Sequence, residues 1–258
     1  MNANTMKLIL FFTNRQLGNK HTLYFQVCLI VWTILLGTIS VTCADQLTFG
    51  REMRLVVLDP GHGGEDHGAR GAEGVLEKDV SLALSRIIAD ACGDQYRIRL
   101  TRTGDYGLAI RDRTAEANRL KADLFISIHT GGSFRHSATG MGVYYQQASG
   151  VMSSTDKTQS VGSERPIPWD RIQDRHEAKS RILATQMSGH FKDGLKPSNL
   201  TLKPLPLAIL KGADMPAILM EVGYITNPAE EDLMQDAEFL SRAAVAVCRG
   251  IGEFLNEH

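Results

Sequence analysis

Two histidines and two glutamates stand where this chain could assemble a metal centre. His62 lies in the glycine-rich stretch LDPGHGGEDHGARG, Glu77 opens an amphipathic segment, and His129 and Glu221 each follow an apolar run. Two imidazoles and one carboxylate are a typical ligand set for a catalytic zinc ion that keeps one position for water. The remaining carboxylate can act as a general base towards that water.

Each of these residues also has an ordinary structural interpretation. His62 alone is compatible with a turn histidine that makes a structural hydrogen bond, and Glu77 alone with the preference of acidic residues for helix N-termini. His129 and Glu221 end the runs LFISIH and AILME, where a polar group after a buried strand needs a partner. The occurrence of all four together favours a functional site. The glycines around His62 permit a sharp turn and leave space beside a substrate.

From Arg54 onwards, apolar runs of strand length alternate with segments of helical periodicity. This alternation predicts an α/β fold with helices on both faces of a sheet. Sites in such sheets lie at the carboxyl ends of the strands, where His62, His129 and Glu221 stand. The predicted strands are Arg54–Asp59, Tyr96–Arg102, Leu124–His129, Gly140–Gln146, Leu207–Lys211 and Ala217–Gly223, and the predicted helices are Lys78–Cys92, Leu108–Ala122, Glu177–Phe191 and Glu238–Leu255.

The first 44 residues differ from the rest of the chain. They contain three basic residues and no acidic residue, and they include the apolar run Val27–Val41, followed by small residues before Asp45. A basic region, an apolar core and small residues predict a secretory signal peptide. A retained membrane anchor is the alternative, although the run is shorter than the roughly 20 residues that span a bilayer. Either alternative places residues 45–258 outside the cytoplasm.

The composition excludes several kinds of site. The first 44 residues hold three of the 28 basic residues and none of the 29 acidic ones, so the remainder carries a net charge of −4. Without a basic tail or stripe, nucleic acid is not expected as a partner. The absence of a CxxC motif argues against cysteine-ligated zinc. Cys92 and Cys248 either form a disulfide in an oxidising compartment or remain two buried thiols.

The segment Ala148–Arg175 interrupts the alternation of strands and helices. It is rich in serine, threonine and charged residues and contains Pro166, Pro168 and Trp169. A stretch of this length without a secondary-structure pattern is typical of a functional loop or of disorder. A passive surface loop is the alternative to a functional one.

Several motifs resemble one known family. The motifs VVLDPGHGGEDHGARG, GVLEKD, LTRTGD, RDRTAEANRLKADLFISIH, GMGVYY and MPAILMEVGYITNPAEEDLM follow one another between about Leu55 and Leu255. Together they are similar to the zinc-dependent N-acetylmuramoyl-L-alanine amidases of bacterial cell-wall turnover. The resemblance implies a single catalytic domain over residues 45–258, built on a twisted, mostly parallel sheet of six strands with helices on both faces.

The resemblance also implies an activity and a role for each candidate residue. The expected reaction is hydrolysis of the amide between N-acetylmuramic acid and the L-alanine of the stem peptide, with peptidoglycan as the partner. His62, Glu77 and His129 match the Zn²⁺ ligands, and Glu221 matches the catalytic glutamate. The protein is then expected to be exported to the periplasm or the cell envelope, with a membrane tether if its N-terminal segment is retained.

The sequence departs from the family pattern at three places and leaves other functions open. The segment Ala148–Arg175 lies where some relatives carry a segment that covers the active site, which suggests the hypothesis that it restricts access until a partner protein relieves it. His67 stands where the family commonly has proline, and we expect it to be a neighbour of the site or solvated rather than a ligand. Thr130 and Gly131 replace the usual residues after the second histidine, which puts local substrate contacts in doubt. The alternatives are a zinc peptidase acting on stem peptides and a catalytically silent or autoinhibited peptidoglycan-binding module.

Overall fold

The computed structural model describes residues 53–147 and 167–257. Six strands form one sheet: β1 Leu55–Pro60, β2 Arg97–Leu100, β3 Leu124–Gly131, β4 Met141–Gln146, β5 Leu200–Leu205 and β6 Ala217–Tyr224. The five α-helices within these residues are α1 Glu77–Cys92, α2 Ile110–Arg119, α3 Glu177–Leu195, α4 Pro228–Gln235 and α5 Ala237–Glu257. Two 3-10 helices span Trp169–His176 and Ala208–Leu210.

The sheet is mixed, with strand order β2-β1-β3-β6-β4-β5. The strands β2, β1, β3 and β6 are parallel, β4 is antiparallel to β6, and β5 is parallel to β4. The predicted α/β class with six, mostly parallel strands is therefore confirmed. The carboxyl ends of β1, β3 and β6 meet at one edge, where His129 is the register partner of Glu221.

Alternating side chains divide the hydrophobic core between the two faces of the sheet. Val56 and Leu58 of β1 point into the larger cluster, which contains buried residues of α1, α3 and α5. Leu55 and Val57 point into a smaller cluster, where α2 and residues 207–217 cover the opposite face. Strands buried on both faces read as continuous apolar runs, which is why the parallel strands were recognisable in the sequence.

A disulfide between Cys92 and Cys248 joins the last residue of α1 to α5. The two sulfur-bearing residues are 156 positions apart in the chain, and their Cα atoms are separated by 5.6 Å. Of the two alternatives that the sequence left open, the structure has the disulfide. The bond closes a long loop and connects two helices on the same face of the sheet.

One predicted element is wrong, and two elements were not predicted. The run Leu207–Lys211 was expected to be a strand, but it contains the 3-10 helix Ala208–Leu210. Its apolar side chains cover the smaller cluster from outside the sheet instead of extending the sheet. Strand β5 was missed because it lies at the sheet edge, is largely exposed and contains a proline. Helix α4 was missed because it is short, although Asn227 caps its N-terminus.

The segment 148–175 is partly described. Residues 148–166 lie outside the described part of the chain, whereas Trp169–His176 forms a 3-10 helix. Gln173 is fully buried, and its side-chain amide donates to the carbonyl oxygens of Ala213 and Met215 at 2.8 Å each. The carboxyl-terminal part of this segment is therefore ordered by specific contacts, contrary to the expectation of a stretch without secondary structure.

The proposed signal peptide or anchor, residues 1–44, also lies outside the described residues. Among the helices in residues 53–147 and 167–257, none has the length and apolarity needed to cross a bilayer.

The disulfide yields the first prediction. Replacing both Cys92 and Cys248 by serine is expected to lower the free energy of unfolding by about 2–5 kcal/mol, because the unfolded chain gains the entropy of an open loop. Chemical denaturation of the full chain measures this difference. A reducing agent should destabilise the wild-type protein by a similar amount and leave the double variant unchanged. Equal stability of the oxidised wild type and the variant would contradict the prediction.

Candidate metal centre

The turn after β1 places His62 in an unusual backbone conformation. His62 has a φ of 61°, in the left-handed region that residues other than glycine rarely adopt. The amide of Gly61 donates to the carbonyl oxygen of Ile128 at 2.9 Å, which ties the turn to β3. The guanidinium of Arg113 donates to the carbonyl oxygens of Pro60 and His62 at 2.7 and 2.8 Å. The backbone on both sides of Gly61 is therefore held by its surroundings.

A second arginine reinforces the same turn. Arg102 is fully buried and donates to the carbonyl oxygens of Pro60 and Gly61 at 3.1 and 2.7 Å. The same guanidinium reaches the carbonyl oxygen of Lys78 at 2.7 Å, in the first turn of α1. Arg102 thus connects the turn that carries His62 with the helix that carries Glu77.

Glu77 lies between the two histidines. Its Oε2 is 3.1 Å from Nε2 of His62, and its Oε1 is 2.9 Å from Nδ1 of His129. The carboxylate also accepts the backbone N–H groups of Ala69 and Thr130, at 2.8 and 3.0 Å. Burial alone would raise the pKa of Glu77, but the hydrogen bonds with His129 and His62 outweigh it and hold the pKa well below its usual range. Glu77 is therefore an ionised carboxylate.

The rings of His62 and His129 are oriented by further contacts. Nδ1 of His62 is 2.9 Å from Oδ2 of Asp66, so the nitrogen that faces away from Glu77 also has a carboxylate partner. Such a contact fixes the tautomer and the orientation of a ligating histidine. A Cβ atom at Gly61 would lie within 2.8 Å of three atoms of the His129 ring, and one at Gly68 would overlap the His62 ring. Both glycines are required for space beside the imidazoles.

The donor set fits a zinc ion. One ligand atom from each of His62, Glu77 and His129 lies within 4.8 Å of the other two. Bonds of about 2.0–2.1 Å in a tetrahedral zinc site separate the ligand atoms by about 3.3 Å. The distances of 3.1 and 2.9 Å from the glutamate oxygens to the two imidazole nitrogens are close to that separation. The structure thus brings the three predicted ligands together.

Glu221 lies beside this group on β6. It is the register partner of His129, and its Oε2 accepts a hydrogen bond from the hydroxyl of Tyr144 at 3.0 Å. Burial raises the pKa of Glu221, and the negative charge of Glu77 adds to that effect. Burial also raises the pKa of the Tyr144 phenol, as does the Glu221 carboxylate, so the phenol stays a hydrogen-bond donor. A raised pKa makes a carboxylate a stronger base, which suits a group that accepts a proton.

The sequence analysis missed several residues that support the site. Besides Asp66, Arg102 and Arg113, they include Tyr144 and the adjacent acids Glu230 and Glu231. Glu231 is fully buried and accepts the backbone N–H groups of Glu73 and Val75, in the loop that leads to α1. In the sequence, two acids near a helix N-terminus indicate only a favourable interaction with the helix dipole.

Glu230 holds the ends of two strands at the same edge of the sheet. Its carboxylate accepts the backbone N–H groups of Tyr224 and Gly140 at 2.6 and 2.8 Å, and it also contacts the Thr139 hydroxyl. The end of β6 is thereby fixed to the start of β4.

The residues that depart from the family pattern lie around the site. His67 is exposed and is not among the three residues whose ligand atoms converge in the described part of the chain. Thr130 contributes its backbone N–H to Glu77, and its buried hydroxyl has no hydrogen-bond partner among the described residues. A Cβ atom at Gly131 would lie 2.9 Å from the ring of Tyr224, so this glycine accommodates that ring.

The fold and this cluster define a class of protein. A sheet covered by helices on both faces, with two histidines and two glutamates meeting at its carboxyl edge, is an arrangement suited to metal-assisted hydrolysis. The family model described as N-acetylmuramoyl-L-alanine amidase matches residues 56–253. The chain belongs to this family of amide hydrolases.

Individual relatives agree with this assignment. The chain is 32% identical over 216 residues to N-acetylmuramoyl-L-alanine amidase AmiA of Salmonella typhimurium, covering 77% of this chain and 75% of that protein. It is 30% identical to AmiC of Neisseria meningitidis, of which it spans about half, 53%. The catalytic domain of the amidase CwlV from Bacillus (Paenibacillus) polymyxa has a similar structure, with a TM-score of 0.65, 28% identity and coverage of 79% of this chain and 99% of that domain.

The space beside His129 yields the second prediction. Replacing Gly61 by alanine is expected to weaken zinc binding about 10- to 100-fold, because the new methyl group displaces the His129 ring. Competition with a chelator of known affinity measures the change. Gly189→Ala is a matched control, since a Cβ at Gly189 meets no atom within 4 Å. Equal zinc affinity of the two variants would show that the position of His129 is not required for metal binding.

Proposed function

We propose that the chain hydrolyses the amide bond between N-acetylmuramic acid and the L-alanine of the stem peptide in peptidoglycan. In this proposal His62, Glu77 and His129 hold a Zn²⁺ ion, and Glu221 is the general base. The observation that carries it is the position of Glu77 between two imidazoles, with Glu221 next to His129 on the neighbouring strand. Membership of the amidase family supports the substrate class.

The chemistry of the proposed reaction divides between the ion and the protein. A bound zinc ion would lower the pKa of a water molecule and polarise the scissile carbonyl group. Glu221 accepts the proton of the attacking water as the new carbon–oxygen bond forms. It then delivers this proton to the alanine nitrogen as the carbon–nitrogen bond breaks, and it returns to its ionised form. The raised pKa of Glu221 makes its carboxylate a stronger base towards the water proton.

Product analysis tests the proposed bond specificity. The purified chain is incubated with peptidoglycan with and without a chelator, and the soluble products are identified by mass spectrometry. We expect free stem peptides that begin with alanine, and we expect chelation to abolish them. Shortened stems still attached to muramic acid would instead establish the zinc peptidase. Absence of products from both the chain and a form lacking residues 153–165 would favour the silent binding module.

Substitutions at the site separate metal binding from proton transfer. Glu221→Gln is expected to retain zinc and to lower turnover by about 10²–10⁴-fold, because it removes the base but no ligand. His129→Ala is expected to lose both zinc and turnover. The zinc content of each purified variant and its rate of peptide release check these outcomes. Zinc loss from Glu221→Gln would place Glu221 among the ligands, and full zinc content in His129→Ala would remove His129 from them.

The proposed substrate implies the cell envelope as the location, reached through the signal or anchor proposed for residues 1–44. A protein activator that acts on the segment 148–175 is part of the same proposal, supported by the composition of that segment. The form lacking residues 153–165 also tests this step. If its activity on intact sacculi equals that of the full chain, the segment does not restrict the enzyme.

A further inference from the structure

A tyrosine on the antiparallel strand β4 reaches the proposed general base. The hydroxyl of Tyr144 donates a hydrogen bond to Oε2 of Glu221 at 3.0 Å, and the tyrosine side chain is buried. We propose that Tyr144 is a positioning residue, which holds the Glu221 carboxylate in the orientation required for proton transfer. We further propose that Gly142 and Lys203 keep Tyr144 in place. The inference rests on the proposed role of Glu221.

The strand register shows that this contact is a diagonal one. Gly142 is the register partner of Glu221, whereas Tyr144 is the partner of Leu219. A side chain standing perpendicular to the sheet at Tyr144 would therefore lie beside Leu219. The ring instead extends back along β4, across Gly142, to reach the carboxylate. Diagonal pairs in antiparallel sheets are within reach of aromatic side chains.

Gly142 leaves the space through which the ring passes. A Cβ atom at Gly142 would overlap the hydroxyl oxygen and two ring carbons of Tyr144. Gly142 is not among the glycines with positive φ, so its backbone conformation does not require glycine. Glycine is therefore required at this position because a side chain would occupy the space of the tyrosine ring.

Lys203 lies near the Tyr144 ring. It belongs to β5, it is the register partner of Tyr144, and its Nζ is 6.0 Å from the ring centroid. A cation at this distance is attracted to an aromatic face. Its positive charge also favours the ionised form of Glu221. The ring thus passes Gly142 on its own strand and has a cation near it on the next strand.

A fixed partner matters for a glutamate because its terminal torsion is weakly restricted. The carboxylate plane of glutamate has a broad distribution about χ3, unlike a torsion with three staggered minima. The hydrogen bond from Tyr144 occupies Oε2 and fixes that plane. The other oxygen, Oε1, is then available to accept a proton. A catalytic group that is held in its reactive orientation accelerates the reaction more than one that rotates freely.

Kinetics of paired variants in the full, zinc-loaded chain test the proposal, with a soluble disaccharide–peptide fragment of peptidoglycan as substrate. Tyr144→Phe is expected to lower kcat about tenfold, a size consistent with the loss of one hydrogen bond to a charged group, while KM and zinc content change less than twofold. Gly142→Ala should lower kcat by a similar factor, because the methyl group displaces the tyrosine. Adding Gly142→Ala to Tyr144→Phe should change kcat less than twofold further.

Tyr145→Phe is the matched control. Tyr145 is the next residue, but its side chain lies in the larger core cluster on the opposite face of the sheet. We expect its kcat to equal that of the wild type. Thermal unfolding of each variant shows whether it is folded. If Gly142→Ala does not fold, the kinetics of Tyr144→Phe alone test the proposal.

The outcomes distinguish this inference from the proposed function. If Glu221→Gln is inactive while Tyr144→Phe has full kcat, the positioning role is wrong and the proposed function stands. If Glu221→Gln keeps its turnover, the assignment of the base is wrong, and the role of Tyr144 fails with it. A Tyr144→Phe variant that loses zinc or raises only KM would also overturn the proposal, because its effect would then be on metal retention or on substrate binding.

Discussion

The buried ion pair between Asp59 and Arg113 is the interaction on which the site depends. Asp59 is fully buried at the end of β1, and its Oδ1 is 2.9 Å from the Arg113 guanidinium. Hydroxyl groups of Thr101 and Ser127 donate to the same carboxylate at 2.6 and 2.8 Å. Burying two charges is costly unless their remaining polar atoms are satisfied. Here further N–H groups of Arg113 donate to the carbonyl oxygens of Pro60 and His62, so the ion pair stabilises both the sheet and the turn.

The cost of burying a charge also affects the two glutamates of the site, and their different partners shift their pKa values in opposite directions. Glu77 is surrounded by imidazoles and backbone N–H groups, and its pKa is lowered despite burial. Glu221 has one phenol as its hydrogen-bond donor, and burial together with the charge of Glu77 raises its pKa. Two carboxylates at one site whose pKa values shift in opposite directions are suited to different tasks. The one that stays ionised is suited to hold a cation, and the other is suited to move a proton.

Three of the four predicted site residues stand at or just after the end of an apolar strand, and the fourth, Glu77, opens the helix that follows the glycine-rich turn. His129 and Glu221 follow continuous apolar runs, and parallel strands bring such ends to a common edge. Tyr144 could not be found in this way, because its contact with Glu221 depends on the antiparallel direction of β4. The motif GMGVYY predicts a strand in either direction, and only the observed register places Gly142 opposite Glu221. The wrong strand at Leu207–Lys211 has a related cause: an apolar run can cover a sheet from outside as well as extend it.

Helix α1 connects the chemistry of the site to the stability of the core. Glu77 is its first residue and makes two hydrogen bonds with Ala69. The backbone N–H of Glu77 donates to the carbonyl oxygen of Ala69, and the Glu77 carboxylate accepts the backbone N–H of Ala69. Cys92 is its last residue and is bonded to Cys248 of α5. The helix is thus fixed at the site by polar contacts and at the opposite end by a covalent bond. The position of Glu77 therefore does not depend on the glycine-rich loop alone, because the disulfide and the core packing of α1 also hold the helix.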